Sequence, residues 1–458
     1  MPNHPALIAK AKSAANMYLF SSADWDAVND GNAVPDALAA LAKANGFKAR
    51  TGQYVVRADA GGGIIDVVGG LGDGSDALAV AALSSKLPEG PYEIAREGGF
   101  PMAHIAAGWV DGAYRFDRYL SEKTTPPQLV VGSGADGDTM IREAVAVDRL
   151  RDLVNTPAED MGPPEIQGTI SDLAERHGAS LETVIGDALL DQNYPMVHAV
   201  GRAGPDAPRI MELAWGDPSH PQLAIVGKGV SFDTGGLNLK TGNYMRLMKK
   251  DMGGAAHAIA LAELVMGANL DVHLKLYIPA VENAIAGDAF RPGDVLSSRK
   301  GLSVEIDNTD AEGRLILGDA LTRASEEDPD LLIDFATLTG AARVALGADL
   351  APYYTDDETL AGEIAAGANT SGDPAWRMPL WDPYKSKLKS PIADLVNSAS
   401  GGQAGSITAA IFLKQFVDAK SWVHLDVWAW REGKYSRPAG GAACGLRAMW
   451  ETVRTRYS

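Results

Sequence analysis

The sequence predicts an α/β protein: a smaller N-terminal α/β domain, then a C-terminal domain with a central mixed sheet flanked by helices on both faces. Three observations predict it. From about residue 195 onward, compact apolar segments without polar alternation recur between helical stretches, the pattern of strands buried on both faces. Over residues 1–130 the strand-like segments alternate instead, and Gly-rich turns separate them. Gly supplies 50 of the 458 residues, hydrophobic residues 46% and charged residues 22%, which excludes a fibrous or a disordered chain.

In chain order, Tyr54–Ala58, Ile64–Val68 and Pro127–Val131 are expected as strands, and Pro35–Asn45 and Leu78–Ser85 as helices. A long amphipathic helix is expected over Thr139–Val154, where Ile141, Ala144, Val145, Val147 and Leu150 give an apolar stripe; Asn155-Thr156-Pro157 ends it because proline cannot continue a helix. Gly162-Pro163-Pro164 opens a second helix through about His177, since proline fits a first helical turn. The domains are therefore expected at 1–145, with a connecting helix over about 139–154, and at 155–458. In the second, Met196–Gly201, Ile210–Ala214, Gln222–Val226, His273–Val281, Asp330–Ala336 and Trp422–Asp426 are expected as strands. Gly254–Val265, Arg314–Glu327 and Ile407–Val417 are expected as helices. Ligands in such folds sit at the carboxyl ends of the strands.

The balance of 41 basic against 59 acidic residues gives a net charge of −18, which removes the electrostatic footprint of a nonspecific nucleic-acid binder. The single cysteine, Cys444, cannot form an intrachain disulfide or a thiolate metal cluster, so any metal must bind through oxygen and nitrogen. The first twenty residues have no uninterrupted apolar core, and no stretch approaches the ~18 uncharged apolar residues of a membrane span. A cytoplasmic protein without membrane partners is expected.

Gly132–Gly137 reads G-x-G-x-x-G after a strand and before a helix, the best case for an NAD-dependent oxidoreductase. That fingerprint also needs a second strand ending in an acidic residue about 20 positions on, where the helix end and the Asn155-Thr156-Pro157 turn fall instead. A plain strand–turn–helix connection is favoured. None of the eight histidines forms an H-x-x-x-H or H-E-x-x-H pair, and His257 and His424 are expected to be structural.

Four segments concentrate polar residues at the ends of apolar strands: VGKGVSFDTGG leading to Lys240, MKKDMGGAA, NTDAEGRL and DFATLTGA. Asp310, Glu312 and Arg314 are spaced two apart, so in an extended stretch they project to one face. Neighbouring carboxylates repel unless a cation lies between them, and Arg314 neutralises only one. With Asp233 and Asp251 the acids number four, a density that calls for metal. Oxygen-rich sites suit Mg²⁺, Mn²⁺ or Zn²⁺, and four carboxylates can bridge two divalent ions as a hydrolytic clamp. The alternative is a set of helix caps and solvated turn acids.

These strings resemble those of the leucyl aminopeptidase family, the M17 dinuclear metallopeptidases. The resemblance continues through Leu153–Ala158, Gly405–Lys414 and Trp422–Asp426, and so spans about residues 150–440. It implies one metal held by Asp233, Asp310 (side chain and carbonyl) and Glu312, and a second held by Lys228, Asp233, Asp251 and Glu312. Lys228 would bind as the neutral amine, which burial beside a dication favours. A water bridging the two ions would attack the N-terminal peptide bond of peptides with a free N-terminus, while Lys240 polarises the scissile carbonyl. Arg314 would hold a bicarbonate ion as base, with amides near Leu338 and Gly340; a salt bridge to the acids is the alternative for Arg314. Met248, Thr337 and Gly340 would line the first side-chain pocket, favouring Leu or Met, unless Met248 only packs the core. After Asp426 the run Val427-Trp428-Ala429-Trp430 stands where the family commonly has a small Ala-Gly-Thr run, which points to a narrowed or stacking pocket. The resemblance also implies a homohexamer, a dimer of trimers. Two other readings stay open, a DNA-binding or scaffold protein on the same fold and the NAD-dependent oxidoreductase.

Overall fold

The alternating N-terminal segments become a six-stranded sheet in the computed structural model, which describes residues 3–27, 33–399, 401–433 and 437–458. Its strands are β1 (Leu7–Ile8), β2 (Ala15–Phe20), β3 (Tyr54–Ala58), β4 (Ile64–Gly70), β5 (Gly90–Arg96) and β6 (Pro127–Val130). Their order is β1-β6-β5-β2-β4-β3, all parallel except β3 on β4. Alternation places Met17, Leu19, Val67 and Leu129 in one core with Leu83 and Trp109. These elements belong to a compact unit of Met1–Asp148 and Arg431–Gly440; Arg149–Trp430 and Gly441–Ser458 form the other. The Gly132–Gly137 segment is the turn from β6 into the Ala135–Asn155 helix, and no strand intervenes before Asn155. That helix starts four residues earlier than the apolar stripe predicts, with Asp136 and Asp138 in its first turn, where the helix dipole favours negative charge.

The second unit is built on a nine-stranded sheet. Its chain supplies β7 (Ser180–Ile185), β8 (Arg209–Trp215), β9 (Gln222–Gly227), β10 (Gly229–Asp233), β11 (His273–Asn283), β12 (Val295–Ser297), β13 (Ser303–Glu305), β14 (Leu331–Ala336), β15 (Ala351–Tyr354), β16 (Ala375–Met378), β17 (Leu395–Val396) and β18 (Trp422–Asp426). The order is β16-β15-β18-β14-β9-β11-β8-β7, with β10 alongside β11; β12, β13 and β17 make a small separate sheet. β18, β14, β9 and β11 run parallel, whereas β15, β8 and β7 pair antiparallel, so the sheet is mixed.

Strand periodicity shows why helices cover both faces. Ala224, Val226, Leu332 and Ala336 pack with the Pro195–Gly201, Gly313–Ser325 and Gly405–Lys414 helices. Phe335, one residue out of step, stacks 5.6 Å from His257 on the Gly253–Ala268 helix. Among the described residues, no helix is long and apolar enough to cross a membrane.

One expected strand is a helix. Met196–Gly201 lies in the Pro195–Gly201 helix, and a short apolar run reads the same in either state. Pro195 presets the first turn, and Asp319 Oδ2 accepts the Met196 and Val197 amides at 2.8 and 3.3 Å, satisfying donors a helix start leaves orphaned.

Candidate active site

The carboxyl ends of the parallel strands bring the polar segments together. Lys228 follows β9, Asp233 ends β10, Thr337 and Leu338 follow β14, and Asp426 ends β18. Asp251 immediately precedes the Met252 cap of the Gly253–Ala268 helix, and Glu312 is itself the N-terminal cap residue of the Gly313–Ser325 helix. Positive helix ends therefore face two of the acids.

Asp310, Glu312 and Arg314 do not share an extended strand, contrary to the spacing argument. Asp310 lies in a turn, Glu312 is already helical at φ −72°, and Arg314 is in the helix. Side-chain acceptors bend the backbone there: Asn308 Oδ1 accepts the Asp310 amide at 2.9 Å, and Asn397 Oδ1 accepts the Asp307 amide at 2.9 Å. The turn still converges the acids, since Asp233, Asp310 and Glu312 each offer an oxygen within 4.8 Å of the others.

Two lysines bind the cluster. Lys228 Nζ lies 2.6 Å from Asp251 Oδ2 and 2.9 Å from Glu312 Oε1, and donates to the Thr337 carbonyl at 3.1 Å. Lys240 Nζ lies 2.7 Å from Asp233 Oδ2 and 2.5 Å from Asp310 Oδ1. Gly313 makes the Lys228 position available, because a Cβ there would sit 2.4 Å from Lys228 Cε. Gly235, at φ +88°, turns the chain beneath Asp310 where a side chain would be strained. Thr337 Oγ1 donates to Asp251 Oδ1 at 2.8 Å, and Asp233 Oδ1 accepts from the Gly235 amide and Asn283 Nδ2, both at 2.8 Å.

The electrostatics show a cluster short of positive charge. Burial and then the Asp233 charge push Glu312 up to about 8 and Asp310 up to about 6. Burial lowers the Lys228 and Lys240 amines, but the surrounding carboxylates outweigh it and hold both above their ordinary value. Burial raises Asp251, yet Lys228 and Lys250 outweigh it and hold it below the usual range. Glu312 Oε2 is buried without a hydrogen-bond partner. Four acids, two of them pushed toward protonation, and an orphaned carboxylate oxygen fit a site for divalent cations.

Lys228, Asp233, Lys240, Asp251 and Asp310 line a cavity of about 590 Å³, which Met248, Arg314, Thr337, Leu338 and Gly340 also line; Glu312 sits behind them. Met248 is 9% exposed and faces this cavity, and Gly340 begins the Gly340–Leu346 helix. Arg314 makes no ion pair among the described residues. Its Nη1 donates to the Asn397 carbonyl at 2.7 Å, its Nε is buried and unpartnered, and burial lowers the guanidinium to about 10. The Leu338 amide is not free for an anion, because Asp426 Oδ1 accepts it at 2.9 Å. Trp428 lines the cavity, whereas Trp430 does not. His257 donates from Nδ1 to the Gly253 carbonyl and accepts the Cys444 amide, and His424 pairs with Asp334 at 2.6 Å, so both are core residues.

Sequence reasoning missed Asn283, Asn397, Asp426, Lys250 and Arg343. A polar residue closing the apolar β11 was a signal for Asn283. Nothing in the string MKKDM separates Lys250 from a surface charge.

A carboxylate and lysine cluster at the strand ends of a mixed α/β sheet defines a metal-dependent hydrolase. Residues 148–450 match the cytosol aminopeptidase family, catalytic domain, and residues 17–131 match the M17 aminopeptidase, N-terminal domain. The chain belongs to the M17 cytosol aminopeptidase family, metal-dependent aminopeptidases that hydrolyse peptides. It is 38% identical over 374 residues to the probable cytosol aminopeptidase of Syntrophotalea carbinolica, which covers 77% of this chain and 75% of that one. The crystal structure of the cytosol aminopeptidase from Coxiella burnetii superposes with a TM-score of 0.91 at 38% identity, over 99% of both chains. The bottromycin maturation enzyme BotP in complex with Mn gives 0.85 at 34% identity, over 98% of this chain and all of that one.

Proposed function

We propose that this aminopeptidase removes the first residue from peptides with a free N-terminus at a site for two divalent ions. The observation that carries the reading is the convergence of Asp233, Asp310 and Glu312 within 4.8 Å, beside Asp251 and with Glu312 Oε2 unsatisfied. Asp233, Asp310 and Glu312 would hold one ion, and Lys228, Asp233, Asp251 and Glu312 the second, with Lys228 exchanging its ammonium proton for a ligand bond. Zn²⁺, Mn²⁺ and Mg²⁺ all suit this donor set, and the Mn-bound BotP supports Mn²⁺. When bound, the ions supply Lewis-acid polarisation and a water acidified to near-neutral pKa.

The chain's own residues do the rest. Lys240, released from Asp233 and Asp310, keeps its ammonium in the cavity to donate to the scissile carbonyl oxygen as negative charge develops there. Arg314, with a free buried Nε and no acid partner, would hold a bicarbonate ion, a proton acceptor that no unligated carboxylate of the chain provides. Gly340 would contribute to that site through its backbone, whereas the Leu338 amide would first have to leave Asp426 Oδ1. Met248, Thr337 and Gly340 form the apolar side of the pocket for the first side chain and favour Leu or Met. The family resemblance supports a cytosolic homohexamer. The test is Leu-p-nitroanilide hydrolysis before and after chelation, with Mn²⁺ or Zn²⁺ added back. Loss and recovery are expected, and activity that survives full metal removal refutes the reading.

A further inference from the structure

The cavity wall carries two cations that this chemistry does not use. Lys250 is only 2% exposed and lines the cavity, yet no carboxylate among the described residues pairs with its ammonium. Its contact is the face of Trp428, with Nζ 3.9 Å from the ring centroid. Arg343, in the last turn of the Gly340–Leu346 helix, brings its guanidinium carbon to 4.0 Å from the same ring and also lacks a carboxylate partner among those residues. Trp428 is fixed in the wall, because the preceding Val427 amide donates to the Ala336 carbonyl at 2.8 Å and extends β18 toward the site.

A buried ammonium with no acid at ion-pair distance is costly even when acids lie farther off, and a ring face compensates only part of that cost. Asp251, the acid next to Lys250 in the chain, is already engaged by Lys228 and Thr337. The missing partner must come from what enters the cavity. Met248 and Trp428 line that cavity with apolar surface, suited to an aliphatic stem.

We propose that Lys250, reinforced by Arg343 and stacked on Trp428, reads a carboxylate on the first side chain of the substrate, so that the enzyme removes N-terminal Glu as well as Leu or Met. This rests on the aminopeptidase reading above. Glu combines the stem that Met248 and Trp428 cover with the charge that Lys250 lacks, and a site built to pair with a charge discriminates strongly against its neutral isostere.

The test compares Glu-, Gln- and Leu-p-nitroanilide on the metal-loaded protein. Wild type is expected to favour Glu over Gln, and Lys250→Met to lower the Glu/Leu ratio of kcat/KM by roughly tenfold to a hundredfold, the loss expected for a charged hydrogen bond. Arg343→Gln lowers the ratio less, and added salt lowers it in wild type. Thermal-shift titration with L-Glu and L-Leu reads the same preference without turnover, and decides the matter if Lys250→Met is inactive. A Glu/Leu ratio that neither variant moves, or a wild type that prefers Gln to Glu, overturns the proposal while leaving Leu hydrolysis intact. Failure to cleave any of the three overturns the aminopeptidase reading itself.

Discussion

Gly313→Ala tests whether the position of Lys228, rather than the mere presence of lysine, sets activity. The added Cβ would lie 2.4 Å from Lys228 Cε, 2.7 Å from Cδ and 2.6 Å from Nζ. Carbon atoms rest near ~3.5 Å apart, so the side chain must retreat by about 1 Å. It has little freedom to do so, because its head group is held at 2.6 and 2.9 Å by Asp251 and Glu312 and donates to Thr337. A misplacement of about 1 Å costs on the order of a hundredfold in rate, so kcat/KM for Leu-p-nitroanilide should fall by that order. Stability should fall by no more than ~2–3 kcal/mol, since overpacking of ~1–3 kcal/mol is partly offset by a helix-propensity gain of up to ~1 kcal/mol. Metal content by elemental analysis should drop at the site that Lys228 serves, while the circular-dichroism melt remains cooperative and falls by only several degrees. A variant with wild-type turnover and full metal content would refute the reasoning.

Two further outcomes follow from the same geometry. Arg314→Ala should keep its metals but lose turnover by roughly 10²–10⁴-fold, the range of a lost acid–base group; unchanged turnover refutes the anion role. Asp319 is pushed up to about 7 by burial, although it accepts the Arg299, Met196 and Val197 amides. Its folded value lies above the ordinary 3.8, so its contribution is complete below about pH 4 and is lost as pH rises through about 7. Asp319→Asn should therefore flatten the fall of Tm between those values, and parallel wild-type and variant profiles would count against it.

Much of this was legible because the signals are local. Apolar runs without alternation marked β9, β14 and β18, and their ends moved by no more than one residue in the structure. Where a signal was not local, it misled. Met196–Gly201 read as a strand because its apolar residues satisfy either state, and Asp319, 123 residues away, favours the helix together with Pro195 by accepting the amides at its start. The two-residue spacing of Asp310, Glu312 and Arg314 suggested one extended face, but Asn308 and Asn397 bend that segment into a turn. Arg314 had two readings in the sequence; in the structure it donates to the Asn397 carbonyl and makes no ion pair among the described residues, which its sequence context did not indicate.

The sequence by itself determined the two-part α/β organisation and the family to which the chain belongs, because both are written in residue type and short spacing. The tertiary structure alone decided which groups are left without partners. Glu312 Oε2 and Arg314 Nε are buried without a hydrogen-bond partner, and the buried Lys250 ammonium meets a ring face in place of an acid among the described residues; burial makes such unmatched polar groups costly.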